Sequence, residues 1–455
     1  MKRQFYRNSN FKEDTYFRQP RFRQQLNEAK ASGYRTFVNE VRKINNLKNA
    51  RDLKGDVYIK DIFIRYWEPF KEKYLARLQR PGLIKAVESM TGCHNFSNGY
   101  IYYECPNCDN FHMVGFSCHS RFCPSCGKKY KDQRTIKVSE KCLEVPHRQF
   151  VFTIPFQLRE YFQLHRELLG VLFSTVKETL NSVLEKNAPR ACRREKRRLG
   201  FVSFLHTFGR DMKWHPHIHV LLAERYLNNR GELKKLDYFP FDYIRITFQN
   251  KLFHNIYAFY RDVIKDRRQT QEIYLLCRKL KSKYKDGYYV YGRKFSGDRT
   301  TTRDIKDITN YIARYASHPP ISERRITGMD TEANLVTWFY DPHEDDDVED
   351  EEEKIGRQTI TEDVFEFMKR MIIHIPSKGF QVIRYYGFYS NKFKEKVTDR
   401  RLFSSAQLAQ MKDNTLWANN LMGSYGYSPL LCHCGAEMEV NYELSYYPRG
   451  PTNET

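Results

Sequence analysis

The sequence predicts an α+β protein in three parts. These are a cysteine-rich N-terminal module, a ferredoxin-like core whose antiparallel sheet carries helices on one face, and a small C-terminal α+β region. Three observations lead there. Six of the eleven cysteines fall between Cys93 and Cys126. Downstream, strand and helix periodicities alternate in the order βαββαβ. Lys plus Arg number 77 against 55 Asp plus Glu, a net charge of +22 on 455 residues, of which 15% are aromatic. That length supports a core without disulfide staples and excludes a small secreted scaffold. Excess charge together with abundant aromatics favours a folded nucleic-acid binder over a disordered basic tail. No run approaches the roughly 18 apolar residues of a membrane span, and the opening MKRQFYRNSNFKEDTYF lacks the apolar core of a signal peptide. A soluble, cytoplasmic protein without a membrane partner is expected.

Residues 1–56 carry 14 Lys/Arg and 6 Asp/Glu with few apolar residues in helical register, so a basic, at most partly ordered arm is expected. From Val57 to Glu88, Ile59, Ile62, Phe63, Tyr66, Trp67, Phe70, Tyr74 and Leu75 recur at helical spacing and lead into the cysteines. There, Cys105/Cys108 and Cys123/Cys126 form two CxxC knuckles 14 residues apart. A knuckle delivers two thiolates from one tight turn, and two knuckles close a tetrahedral, structural zinc site. Cys93 and Cys118 remain as candidates for a second site, with His94, His112 and His119 nearby. Arg121, Lys128 and Lys129 interleave with the cysteines as phosphate contacts would. Cys432 and Cys434 form a CxC pair for which structural thiols and a metal site are equally open.

Beyond the cysteines, Arg148–Ile154 reads as a strand and Gln157–Glu185 as a helix. Gly200–Phe208 and His217–Ala223 are strands joined by a turn, and Phe241–Ile264 is helical. Tyr288–Tyr291 is a short strand and Arg303–Ala316 a further helix. In this order the first and third strands are central, which puts His217–Ala223 mid-sheet. Basic residues Arg193, Arg194, Arg197 and Arg198 suit contact with a nucleic-acid backbone. Residues 341–354 hold ten acidic residues and one Lys, a run expected to be a solvated, disordered insertion. Thr361–Ile373 reads as helix and Phe380–Tyr389 as strand.

Two features carry chemistry. In WHPHIHVLL, His217 and His219 lie two apart on a strand, so their imidazoles share a face while Ile218 and Val220 take the other. Two neutral nitrogens there begin a divalent-metal site, with His206 on the neighbouring strand as candidate third ligand. On the helix RDIKDITNYIARYA, Tyr311 and Tyr315 share a face one turn apart. The helix directly follows the last core strand, from which it can fold back over the histidines.

The combination of SCHSRFCPSCG, HTFGRDMKWHPHIHVLL, YIARYASHPPISERRI and IPSKGFQVIRYYGFYSN resembles the two-tyrosine HUH transposases of the insertion sequence 91 family, collinearly from about Asp61 to Glu437. His217, Ile218 and His219 match the histidine–hydrophobic–histidine motif, Tyr311 and Tyr315 the tyrosine pair, and Cys93–Cys126 the zinc-binding domain. The resemblance implies an HUH nuclease core and Mg²⁺ or Mn²⁺ beside the structural zinc. It also implies single-strand cleavage through 5′-phosphotyrosine intermediates and strand transfer in rolling-circle transposition, with single-stranded element ends and target DNA as partners and no nucleotide cofactor. The expected divisions are a zinc- and DNA-binding domain (57–140), a catalytic domain with its tyrosine helix (146–325) and a C-terminal region (355–455). A plasmid replication initiator or relaxase would use the same chemistry, whereas a zinc-ribbon regulator would use the histidines and tyrosines only for packing.

Overall fold

The computed structural model describes residues 58–186, 197–236, 238–294, 302–315, 320–342, 356–393, 401–413, 416 and 430–447. The basic arm, Arg193, Arg194, the acidic run beyond Pro342 and the Lys128 side chain lie outside the described residues.

The chain begins with α1 (Ile59–Tyr74) and α2 (Leu83–Thr91), then a hairpin of β1 (Tyr100–Glu104) and β2 (Phe111–Gly115), then α3 (Pro124–Ser139). The core runs β3 (His147–Thr153), α4 (Phe156–Leu164), α5 (Leu168–Lys186), β4 (Arg198–Phe208), β5 (Trp214–Leu227), β6 (Leu233–Lys235), α6 (Phe241–Phe259), α7 (Arg267–Lys283), β7 (Val290–Lys294) and α8 (Thr302–Tyr315). There follow β8 (Ile326–Asp330), β9 (Leu335–Tyr340), β10 (Gln358–Asp363), α9 (Val364–Ile372), β11 (Ile383–Gly387), α10 (Ser405–Asp413) and β12 (Glu439–Tyr446). The result is a mixed α+β structure in which every strand pair is antiparallel among the described residues.

The large sheet has the order β11-β4-β5-β3-β7, with β6 paired to β5. Strand β5 is flanked by β4 and β3, and both faces of the sheet are covered. Phe150 and Phe152 of β3, Phe201 and Leu205 of β4, and Ile218, Val220 and Leu222 of β5 pack into one core with α4, α5, α6 and α7. Residues of the opposite parity, Val202, Phe204, Leu221 and Ala223, pack against Ile308, Tyr311 and Ile312 of α8 and Val138 of α3. The expectation of helices on one face is therefore corrected. Helix α8 is amphipathic, with Ile308, Tyr311, Ile312 and Tyr315 at i, i+3, i+4, i+7, and its apolar stripe is buried against the second face.

Other elements also differ from expectation. The span read as one helix from Gln157 to Glu185 is two, α4 and α5, separated at residues 165–167, and Arg166 there donates to the Ile373 carbonyl at 2.7 Å. Residues 361–363 belong to β10, and α9 starts after Asp363, whose carboxylate accepts from the Phe365 and Glu366 amides as an N-cap. Helix α7 lies between the expected helix Phe241–Ile264 and strand Tyr288–Tyr291 and was not anticipated. A third core joins Ile62, Phe63 and Phe70 of α1 with Val336 and Trp338 of β9 and Phe367 and Met371 of α9, so the cysteine-rich region shares its interior with residues 321–375. Arg80 reinforces that union by donating to the Ile372 and Ile375 carbonyls at 2.6 and 2.5 Å, at the end of α9 where backbone acceptors lack helical partners.

Candidate functional site

His206 lies directly opposite His217 in the β4–β5 ladder, and His219 lies two residues further along β5. Directly opposed residues share a face, and the candidate ligand nitrogens of His206, His217 and His219 all lie within 4.8 Å of one another. His217 Nδ1 donates to the His215 carbonyl at 2.8 Å, an assignment of tautomer that leaves Nε2 as the lone-pair nitrogen. His206 Nε2 donates to the Tyr315 carbonyl at 3.1 Å, which makes Nδ1 its lone-pair nitrogen. Burial lowers the His217 pKa to about 4, and burial together with the neighbouring imidazoles holds His219 well below its ordinary value. The His217 and His219 rings thus favour the neutral, ligating form.

Helix α8 closes over this triad. The Tyr315 ring stacks on His219 with centroids 3.8 Å apart and stands 5.4 Å from His206. Tyr311 packs 4.6 Å from Tyr315, and its hydroxyl donates to the Val220 carbonyl at 3.2 Å. The two tyrosines differ in setting. Tyr311 is buried and desolvation raises its pKa well above 10, whereas Tyr315 is half-buried.

The cysteines partition differently from the knuckle-to-knuckle expectation. Cys93, Cys118, Cys123 and Cys126 form one cluster, and Cys105, Cys108, Cys432 and Cys434 another, each with its sulfurs within 4.8 Å of one another. The quartet Cys105, Cys108, Cys123 and Cys126 is therefore corrected, and the cause is the β1–β2 hairpin. Cys93 and Cys118 flank its base, where His94 donates to the Phe116 carbonyl and Phe116 to that of Gly99. Cys105 and Cys108 sit at its tip, one five-residue strand or about 17 Å away. At the base, Sγ of Cys126 lies 3.5 Å from Cys93 and 3.6 Å from Cys118. A disulfide needs about 2.05 Å, while four thiolates at about 2.3 Å from one zinc stand roughly 3.8 Å apart. The Cys118 and Ser120 amides donate to the Cys93 and Cys118 sulfurs. Buried Lys60 donates to the Cys93 carbonyl; burial lowers its pKa, against the raising influence of the Cys93 and Cys123 thiolates. This is the structural-zinc chemistry of a closed four-thiolate site.

Of the candidate DNA contacts, Lys129 is half-buried on α3. Arg121 lines a partly open pocket with Arg166 and His374, and burial lowers its pKa. Arg197 and Arg198 lie at the start of β4 with their guanidinium groups over Tyr226 and Phe393 at 5.6 and 5.5 Å. No helix among the described residues is long and apolar enough to cross a membrane.

Comparison with known proteins gives two family matches. Residues 62–154 match the family described as "Transposase zinc-binding domain", and residues 200–396 the family described as "Putative transposase". The transposase for insertion sequence element IS801 of Pseudomonas savastanoi pv. phaseolicola is 27% identical over 322 residues, 68% of this chain and 70% of that protein. The protein named "Putative transposase y4qJ" of Sinorhizobium fredii is 24% identical over 351 residues, 74% of this chain and 81% of that one. No solved structure matches the chain. With a thiolate cluster inside the first matched region and the histidine strand and tyrosine helix inside the second, the chain belongs to the insertion sequence 91 family of transposases.

Proposed function

We propose that this transposase nicks and rejoins single-stranded DNA through 5′-phosphotyrosine intermediates, on a ferredoxin-like HUH core, as a rolling-circle element requires. The observation that carries the reading is the stacking of Tyr315 on His219 at 3.8 Å, which brings a nucleophile's helix onto three convergent imidazoles. The core strand order β7-β3-β5-β4 supports the ferredoxin-like assignment, since it corresponds to fourth, first, third, second in the βαββαβ unit.

The histidines fit a divalent cation. Nδ1 of His219 is buried without a hydrogen-bond partner among the described residues, and burial holds the His217 and His219 rings neutral. His206, His217 and His219 would hold Mg²⁺ or Mn²⁺, which when bound polarises the scissile phosphate. The protein's own part is nucleophilic. A tyrosine oxygen forms a bond to phosphorus, the bond from phosphorus to the 3′-oxygen breaks, and the departing strand leaves with a 3′-OH. The phosphotyrosine conserves the bond energy, so rejoining needs no nucleotide. The second tyrosine, one turn away, accepts the next strand. The half-buried setting of Tyr315 supports it as the first nucleophile. Arg197, Arg198, Lys129 and the Arg193/Arg194 stretch would bind the DNA backbone.

The test is incubation with single-stranded DNA from the ends of its own element and Mg²⁺. A covalent adduct mapping to Tyr311 or Tyr315 is expected. His219→Ala should lose the adduct while DNA affinity stays nearly unchanged, because binding is distributed over many Lys and Arg. No adduct, as a non-catalytic regulator predicts, or one at another tyrosine, overturns the reading.

A further inference from the structure

We infer that Cys105, Cys108, Cys432 and Cys434 bind a second structural zinc, and that this ion clasps the C-terminal strand β12 onto the N-terminal β1–β2 hairpin. The four sulfurs converge from two turns more than 320 residues apart in sequence. Sγ of Cys105 lies 3.5 Å from Cys434, and Sγ of Cys108 lies 3.6 Å from Cys432. Those separations are far beyond a disulfide and close to the edge of a zinc–thiolate tetrahedron. Both turns are built as metal knuckles. In the first, the Cys105 amide donates to the Asn110 carbonyl at 2.9 Å and the Asn107 amide donates to the Cys105 sulfur at 3.4 Å. In the second, the Cys432 amide donates to the Ala436 carbonyl at 2.9 Å, Gly435 takes φ +87°, and the Asn110 side chain reaches the Cys432 sulfur at 3.4 Å.

The surroundings explain why an ion is needed. Among the described residues, those packed around the cluster are few, chiefly Tyr103, Met438, Ile101 and Val440, and Cys434 is exposed. So small a core holds two distant segments weakly. Beyond it, β12 pairs with β1 from Glu104↔Glu439 to Tyr100↔Tyr446, and Asn441 donates to the Glu104 carboxylate at 2.9 Å. Zinc binding would release the thiol protons to solvent, and its free energy would become docking free energy for residues 430–446. The C-terminal segment would thereby complete the sheet of the N-terminal module. This cluster is remote in the chain from the histidines and tyrosines, so its test is independent of the proposed catalysis.

The test uses the full chain purified without chelator. Elemental analysis should give two zinc per chain, and the double variant Cys432→Ser, Cys434→Ser one. Hydrogen exchange across 430–446 and at the hairpin tip around Cys105 and Cys108 should rise in that variant, while the segment from Cys118 through α3 stays protected. A measurement on the unmodified protein guards against a misfolded variant. Cys434 is exposed, so brief alkylation should leave it unlabelled when zinc is bound and label it after chelation. One zinc per chain in the wild type, an unchanged zinc content in the variant, or rapid alkylation of Cys434 in zinc-replete protein each overturns the inference.

Discussion

The two tyrosines should not be equivalent, and Tyr→Phe substitution separates them. In Tyr311→Phe the ring contacts with Phe204 (6.4 Å) and Tyr315 (4.6 Å) remain, and the hydrogen bond to the Val220 carbonyl at 3.2 Å is lost. A long, neutral bond of that kind contributes about 1 kcal/mol or less, so the variant should melt only about 2–4 °C lower. For Tyr311 to attack, that bond must break and the phenol must shed its proton in a desolvated setting that already raises its pKa. Each unit of that rise adds about 1.4 kcal/mol to forming the phenolate. Tyr315, half-buried and stacked on His219, has no such carbonyl tether among its described contacts. Single-turnover cleavage of a 3′-labelled single-stranded oligonucleotide, read as a protein–DNA band on a denaturing gel, reports the first attack. Tyr315→Phe should slow it about 100-fold or more, Tyr311→Phe less than about tenfold. Tyr311→Phe should instead block transfer of the second strand. The opposite ranking, with both variants folded, would refute the argument from burial.

Lys60→Met should weaken zinc retention at the Cys93 cluster about tenfold, because the ammonium beneath Cys93 opposes the thiolate charge; competition with a chromophoric chelator measures this, and equal affinities would sink it. His147 is fully buried, exchanges a 2.9 Å hydrogen bond with the Tyr389 hydroxyl, and has its pKa pushed down to about 4 by desolvation. The unfolded chain takes up that proton near pH 6.5 and the folded protein refuses it until about pH 4, so stability is present above 6.5 and falls as pH drops through this window, by up to about 3 kcal/mol. His147→Gln should flatten that part of the pH–stability curve; superimposable slopes in chemical denaturation would contradict the assignment.

What could be read from the sequence depended on the range of the interaction. The HIH pattern is set by the two-residue period of a strand, so His217 and His219 share a face wherever the strand lies. The tyrosine pair is set by the helical period, and Ile308 and Ile312 on the same stripe explain why that face turns to the sheet. His206 could be named but not aimed, since its facing depends on the β4–β5 register, which shifts at Leu199/Phe201 and again at His206/Phe208. The small β8–β10 sheet and helix α7 were missed although β9 (LVTWFY) and the Ile273, Cys277 and Leu280 stripe of α7 carry the signal; β10 (QTITED) is mostly polar, and the Lys and Arg residues of α7 mask its periodicity.

The cysteines show the limit most sharply. Local spacing says that two thiolates in a CxxC turn face one ion; it is silent on which turns meet, because that is decided by the element between them. Here a hairpin of two five-residue strands separates its tip from its base by more than any single zinc can bridge. The base then takes its partners from Cys123 and Cys126 at the start of α3, which follows immediately. The tip must find thiolates elsewhere, and the antiparallel pairing of β1 with β12 puts the residues just before Glu439 beside the residues just after Glu104. The weak CxC pair at Cys432 and Cys434 and the strong knuckle at Cys105 and Cys108 are thus two halves of one arrangement, joined by the strand register. The same logic covers the shared interior of α1, β9 and α9: the N-terminal module is complete only when residues from the last third of the chain have arrived.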